Sequence, residues 1–153
     1  MKTKIQIALF TLFPLVSFCQ WKYQDVNNGL DEPYKIAYNT HTPSNVFLKL
    51  ENLDDGSICL YLTNGYFCTD YPFTEVSFKI GSEWKKFEFN SVKSTDNYEC
   101  IFITFDMESN ADLVNAFKSA NLVRIRVNDD YCGSNIYDFN MSNSANAFNF
   151  MKK

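Results

Sequence analysis

Few of the side chains able to do chemistry stand in a pattern that chemistry would use. His41 is the single histidine and lies in the loop-like His41-Thr42-Pro43-Ser44, and any Ser-His-Asp or Cys-His arrangement would have to use it. No serine has the GxSxG surroundings of a nucleophile elbow, and GxGxxG, P-loop and HExxH patterns are absent. Two carboxylates facing each other across a sugar can hydrolyse a glycosidic bond. With 18 acidic residues some pair is always on offer, so abundance carries no weight. Asp54-Asp55 and Asp129-Asp130 fall in turn contexts, where Asp is favoured because its carboxylate accepts nearby backbone N–H groups. Neither run matches the D-x-D-x-D-G pattern of a calcium loop. No catalytic residue, cofactor or metal site is expected, and the chain is expected not to be an enzyme.

Two residue sets remain. Beyond Cys19 there are four cysteines, Cys59, Cys68, Cys100 and Cys132. None forms a CxxC pair, and His41 cannot complete a zinc set nearby. An even number in an exported chain suggests two disulfides with three connectivities open. The preferred pairing joins Cys68 to Cys132, because both lie in turn-like segments with Tyr neighbours, Tyr66-Phe67-Cys68 and Tyr131-Cys132-Gly133. That leaves Cys59 with Cys100. Arg124 and Arg126 are the only arginines. Two apart on one strand, they point the same way. Either they pair with acids on neighbouring strands, or their guanidinium forks meet an anionic ligand or a partner.

The start of the chain reads as an address. Met1-Lys2-Thr3-Lys4 is a short positive start, Ile5 to Val16 is apolar, and Ser17-Phe18-Cys19 sets small residues before a cut ahead of Gln20. This is the layout of a secretory signal peptide over 1–19, with an apolar stretch too short for a comfortable membrane span. A single domain over 20–153 follows, in the periplasm or outside the cell. Lipidation at Cys19 is the alternative, but Phe18 stands where a lipoprotein signal wants a small residue. Loss of Lys2 and Lys4 leaves 12 basic against 18 acidic residues. Such a surface repels a phosphate backbone, so nucleic acid is not an expected partner.

These residues have to be held by a body that is 46% hydrophobic and 17% aromatic, with only 5 Gly and 4 Pro. Aromatic rings suit half-buried pleated surfaces. Val46, Leu48 and Leu50 alternate with polar or outward residues, as do Ile58, Leu60 and Leu62, around a turn at Asn52 to Gly56; this predicts a hairpin. Further strands are expected at Trp21 onward, at Tyr34 to Tyr38, at Thr74 to Ile80, and from Trp84 to Phe89. Tyr98 to Phe105, apolar on both sides, belongs inside a sheet; Ser91 to Asn97 reads as loop. Ala111 to Ala120 has Leu113, Val114 and Phe117 at helical spacing, Ser109 or Asn110 as N-cap and Asn121 as a left-handed end. Strands follow at Leu122 to Val127 and Ile136 to Phe139, the stretch between them reading as turn, and then a short helix over Ser142 to Met151. The fold class is mostly β, an antiparallel β-sandwich or curved barrel-like sheet with one clear short α-helix.

The segment from Leu113 to Phe117, with Leu122-Val123-Arg124-Ile125-Arg126-Val127 and Tyr137-Asp138-Phe139-Asn140-Met141-Ser142, resembles the ending of small exported bacterial β-sandwich proteins. Among them is the periplasmic accessory protein found with some type VI secretion systems. The resemblance covers about a third of the chain, with Trp21 as an early match, and Asn143 departs from the Gly of the pattern. It implies an interaction module without catalysis.

The leading expectation is therefore a protein-binding sandwich with no cofactor and no membrane span. The alternative is a carbohydrate-binding module using Tyr34, Tyr38, Tyr61, Tyr66 and Trp84, which requires those rings to lie exposed on one face.

Overall fold

A computed structural model of the protein describes residues 21–27, 29, 33–40, 44–52, 56–65, 67–90, 92–93, 101–105 and 110–152. The expected signal peptide, Cys19, His41, Asp54-Asp55, Tyr66 and Cys100 lie outside them. In chain order the elements are β1 (Lys22–Val26), β2 (Tyr34–Thr40), β3 (Phe47–Asn52), β4 (Ile58–Thr63), β5 (Phe73–Ile80), β6 (Glu83–Asn90), β7 (Val92–Lys93), β8 (Ile101–Phe105), α1 (Ala111–Ser119), β9 (Leu122–Asp129), β10 (Gly133–Asn140) and α2 (Ser144–Met151).

The strands form two open antiparallel sheets, ordered β1-β2-β3-β4-β8-β7 and β10-β9-β5-β6. The architecture is the sandwich form of the expectation; neither sheet closes into a barrel. Period-two alternation builds the core. Leu48 and Leu50 of β3 and Ile58, Leu60 and Leu62 of β4 are buried, and so are Val76 and Phe78 of β5, Val123, Ile125 and Val127 of β9 and Phe139 of β10. Each such side chain contributes about 1.5–3 kcal/mol relative to exposure. β8 lies between β4 and β7, inside its sheet as its two-sided apolar pattern predicts. Val92–Lys93 is a two-residue edge strand where a loop was expected.

The two helices add their buried sides to the core. Leu113, Val114, Ala116 and Phe117 form the buried stripe of α1. The Phe117 ring meets Trp21 at 5.7 Å, Phe78 at 6.1 Å and Phe148 of α2 at 6.0 Å, so one side chain ties both helices to both ends of the chain's core. α2 packs on α1, β2 and β3. It is the expected C-terminal helix, two residues shorter. Buried Ser144 at its start donates its hydroxyl to the Phe117 carbonyl at 2.8 Å, satisfying an acceptor that the end of α1 leaves open. Across the layers, the side-chain N–H of fully buried Asn39 donates to the Asn140 carbonyl.

Of the two expectations for the ends of α1, one is met in position and the other is corrected. Asn110 is the N-cap of α1, but no side-chain bond caps the helix there. At the other end the chain leaves α1 through an extended Ala120. Asn121 is not left-handed, because its backbone is taken by β-type bonds: its N–H donates to Lys79 at 2.8 Å and its carbonyl accepts from Met141 at 3.0 Å. The left-handed turn falls instead at Asn143, φ 67°, just before α2.

Candidate functional site

In β9 the valines and Ile125 point into the core, so Arg124 and Arg126 point out. The β9–β10 turn, Asp130 to Cys132, sets the register that places Asp138 opposite Arg124 and Ile136 opposite Arg126. On the other side β5 brings Ser77 to Arg124 and Glu75 to Arg126, and β6 adds Lys86 beside Ser77 and Glu88 beside Glu75. Opposed residues share a face, so the outer side of the four-stranded sheet carries two cross-strand rows. One is Asp138-Arg124-Ser77-Lys86 and the next is Ile136-Arg126-Glu75-Glu88. A third row sets Leu122, Lys79 and Trp84 alongside.

The structure unites both arginines with acids. Arg124 donates from Nε and Nη2 to the two Asp138 oxygens, each at 2.8 Å, and its guanidinium lies 5.5 Å over the Trp84 ring. Lys79 approaches the same ring at 5.9 Å. Arg126 donates from Nη1 alone to Glu75 at 3.2 Å. Lys86 bonds Glu75 at 2.6 Å and Glu88 at 2.8 Å. The hydrogen bond and charge of Asp138 hold the Arg124 guanidinium still more firmly protonated. The hydrogen bond from Lys86 outweighs partial burial and, with the charges of Lys86 and Arg126, holds the Glu75 carboxyl below its ordinary range. Between these groups lies a shallow depression of 280 Å³ lined by Glu75, Ser77, Trp84, Lys86, Arg124 and Arg126.

The end of the same sheet is held by a second arrangement. Cys68 and Cys132 form a disulfide, as the turn contexts suggested. Beside it Asp129, 5% exposed, accepts backbone N–H bonds from Cys68 at 2.7 Å, Thr69 at 3.0 Å, Tyr131 at 3.0 Å and Cys132 at 3.1 Å. Burial pushes this carboxyl up, but the four N–H groups prevail and hold it below its ordinary 3.8. The two sulfurs are bonded to each other and both carboxylate oxygens face N–H donors, so this trio anchors a loop rather than an ion. Tyr71 and Tyr131, on the two segments it joins, are 76% and 85% exposed. Cys59 is buried on β4, opposite Thr104; its expected partner Cys100 is not among the described residues.

The rings expected to make a sugar platform do not share one face. Tyr38 and Tyr61 point to the outer side of the six-stranded sheet, where Tyr61 is buried, whereas Trp84 belongs to the other sheet. Sequence reasoning named neighbouring acids in general but missed Asp138 and Glu75 as the arginines' partners, and missed Lys86 as the second cation on Glu75. For Asp138 a signal existed, since counting back from the hairpin turn pairs it with Arg124. Glu75 and Lys86 arrive from distant strands with no local signal.

No protein family and no curated protein matches the sequence. Among solved structures, the fold is similar to that of invasion associated protein B from Bartonella henselae, with a TM-score of 0.58 and 12% identity over 88% of this chain and 92% of that one. At that identity the likeness is one of fold. It is a distant resemblance to a bacterial protein and has no bearing on type VI secretion.

Proposed function

We propose that this chain is an exported, non-catalytic binding module whose protein partner docks on the outer face of the β10-β9-β5-β6 sheet. One observation carries the reading. A chain of net charge −4 places both its arginines on that face, with Lys86 and the half-exposed Trp84 and Ile136. Arg and Trp are the residue types that most often dominate binding energy at interfaces. The Cys68–Cys132 bond suits an oxidising compartment, and no helix among the described residues is long and apolar enough to cross a membrane. The association of invasion associated protein B with invasion is compatible with export. An accessory role in an envelope assembly, of the kind the type VI resemblance implies, is one form of such binding.

The test is affinity capture from envelope and medium with three proteins: wild type, a Trp84→Ala/Arg126→Glu double variant with an unchanged unfolding temperature, and Lys22→Glu on the other sheet. The expected result is one identified protein retained by wild type and Lys22→Glu and lost by the double variant. Equal capture by all three, or binding to neutral oligosaccharides lost with Trp84, refutes the reading.

A further inference from the structure

Resting on that reading, we infer that the element recognised is a carboxylate-bearing, extended segment of the partner, seated in the depression between Arg126, Lys86 and Trp84. Two cations there keep donor capacity open. Arg126 has five N–H groups and commits one, Nη1, to Glu75, leaving Nε and Nη2 open. Lys86 has three and commits two, to Glu75 and Glu88. The Ser77 hydroxyl lies between them on the row. The acids nearest them already hold a cation each. Each Glu75 oxygen already takes a bond, one from Lys86 and one from Arg126, and both Asp138 oxygens are taken by Arg124.

A concave surface with surplus fixed donors fits an acceptor ligand, and a carboxylate fits the open side of a guanidinium best. Arg124 is a positioning residue, since its bidentate bond to Asp138 fixes it as a wall over the indole. The same contact separates a peptide from a sugar. A sugar would stack on the face of Trp84, but Arg124 and Lys79 both lie over that ring. Ile136, 48% exposed and directly opposite Arg126, instead offers an apolar seat next to the carboxylate position. That suits an acidic residue followed by an aliphatic one.

The probe is fluorescein-labelled hexaglutamate, read by anisotropy on the full mature protein, with labelled hexalysine and oligogalacturonate in parallel. Hexaglutamate is expected to bind saturably, to weaken about tenfold or more when salt is raised from low to physiological strength, and to be lost in Arg126→Glu and Lys86→Glu. Lys22→Glu should leave it unchanged. Unfolding temperatures within a few degrees of wild type show that the variants fold. Equal binding by Arg126→Glu, or tighter binding of oligogalacturonate than of hexaglutamate, overturns the inference. If hexaglutamate does not bind while partner capture still depends on Trp84 and Arg126, the carboxylate assignment fails and the docking face stands. If capture is also indifferent to those residues, both fall.

Discussion

Asp129 is the residue whose replacement tests the structural reasoning most directly. Its two oxygens accept four backbone N–H bonds of 2.7–3.1 Å from the loop before β5 and from the β9–β10 turn. Asp129→Asn keeps the shape but leaves one acceptor oxygen and turns an amide NH₂ toward the other pair of donors. Two hydrogen bonds to a charged group are lost, each worth about 1.5–3 kcal/mol. Tyr131 and Cys68 are exposed enough for water to reach the orphaned N–H groups, so the cost falls at the lower end, about 3 kcal/mol. For a chain of this size that is a fall of about 10 °C in Tm. Thermal unfolding of the oxidised protein, followed by far-UV circular dichroism at pH 7, measures it. The pH dependence supplies the control. The folded Asp129 carboxyl sits below 3.8, so its ionic contribution is fully present above that value and is lost as the pH falls through the folded pKa. The gap between wild type and Asp129→Asn should therefore hold from pH 7 to about 5 and narrow below about pH 4. A loss under about 1 kcal/mol, or a gap that stays constant into strong acid, would refute the view that the ionised carboxylate organises this end of the sandwich.

Other perturbations probe separate parts of the fold. Phe117→Ala empties the ring cluster formed with Trp21, Phe78 and Phe148 and should cost about 3–5 kcal/mol in urea titrations; a loss below about 1 kcal/mol would contradict its place in the core. Ser144→Ala leaves the buried Phe117 carbonyl without its hydroxyl donor, and about 1–2 kcal/mol is expected in the same assay. Reduction of Cys68–Cys132, which closes a loop with a sequence separation of 64, should lower stability by about 4 kcal/mol; an unchanged urea midpoint after reduction and alkylation would show that the staple is idle. Intact mass should give a start at Gln20; retention of residues 1–19 would overturn the export reading, and acylation at Cys19 would make the protein a tethered lipoprotein instead of a free one.

Much of the sandwich was legible because its strands are half-buried and alternate cleanly. The β3–β4 hairpin, the inward valines of β9 and the apolar stripe of α1 need only the local period to be seen. What local pattern could not supply was the pairing order. β5 lies between β6, its neighbour in sequence, and β9, which follows an entire helix, so the meeting of Arg126 with Glu75 depends on a contact across 51 residues. The end of α1 was misread for a related reason. Asn121 suits a left-handed cap by type, but the bonds its backbone makes to Lys79 and Met141 come from tertiary neighbours and outweigh that preference. Asp129 was correctly read as a residue placed for backbone bonding, though that two of its four donors come from the loop carrying Cys68 could not be seen from the turn alone.

The two arrangements on the four-stranded sheet do different work, and the register explains why. A slip of one residue between β9 and β10 would send Val123, Ile125 and Val127 to solvent and the arginines into the core. The buried valines therefore hold Arg124 opposite Asp138 and Arg126 opposite Ile136 without help from the disulfide. The disulfide and Asp129 act on what the ladder cannot reach, the backbone from Cys68 to Thr69 and the turn through Tyr131. The anchoring keeps the approach to β5, and so Glu75 and Ser77, in line with β9 where the loop enters the sheet. Rigidity is thus placed at the border of the charged face, while the face itself stays shallow and keeps open donors on Arg126 and Lys86. That division is the one expected of a surface that meets a partner already in its bound shape, because ordering costs taken in the folded protein do not recur on association.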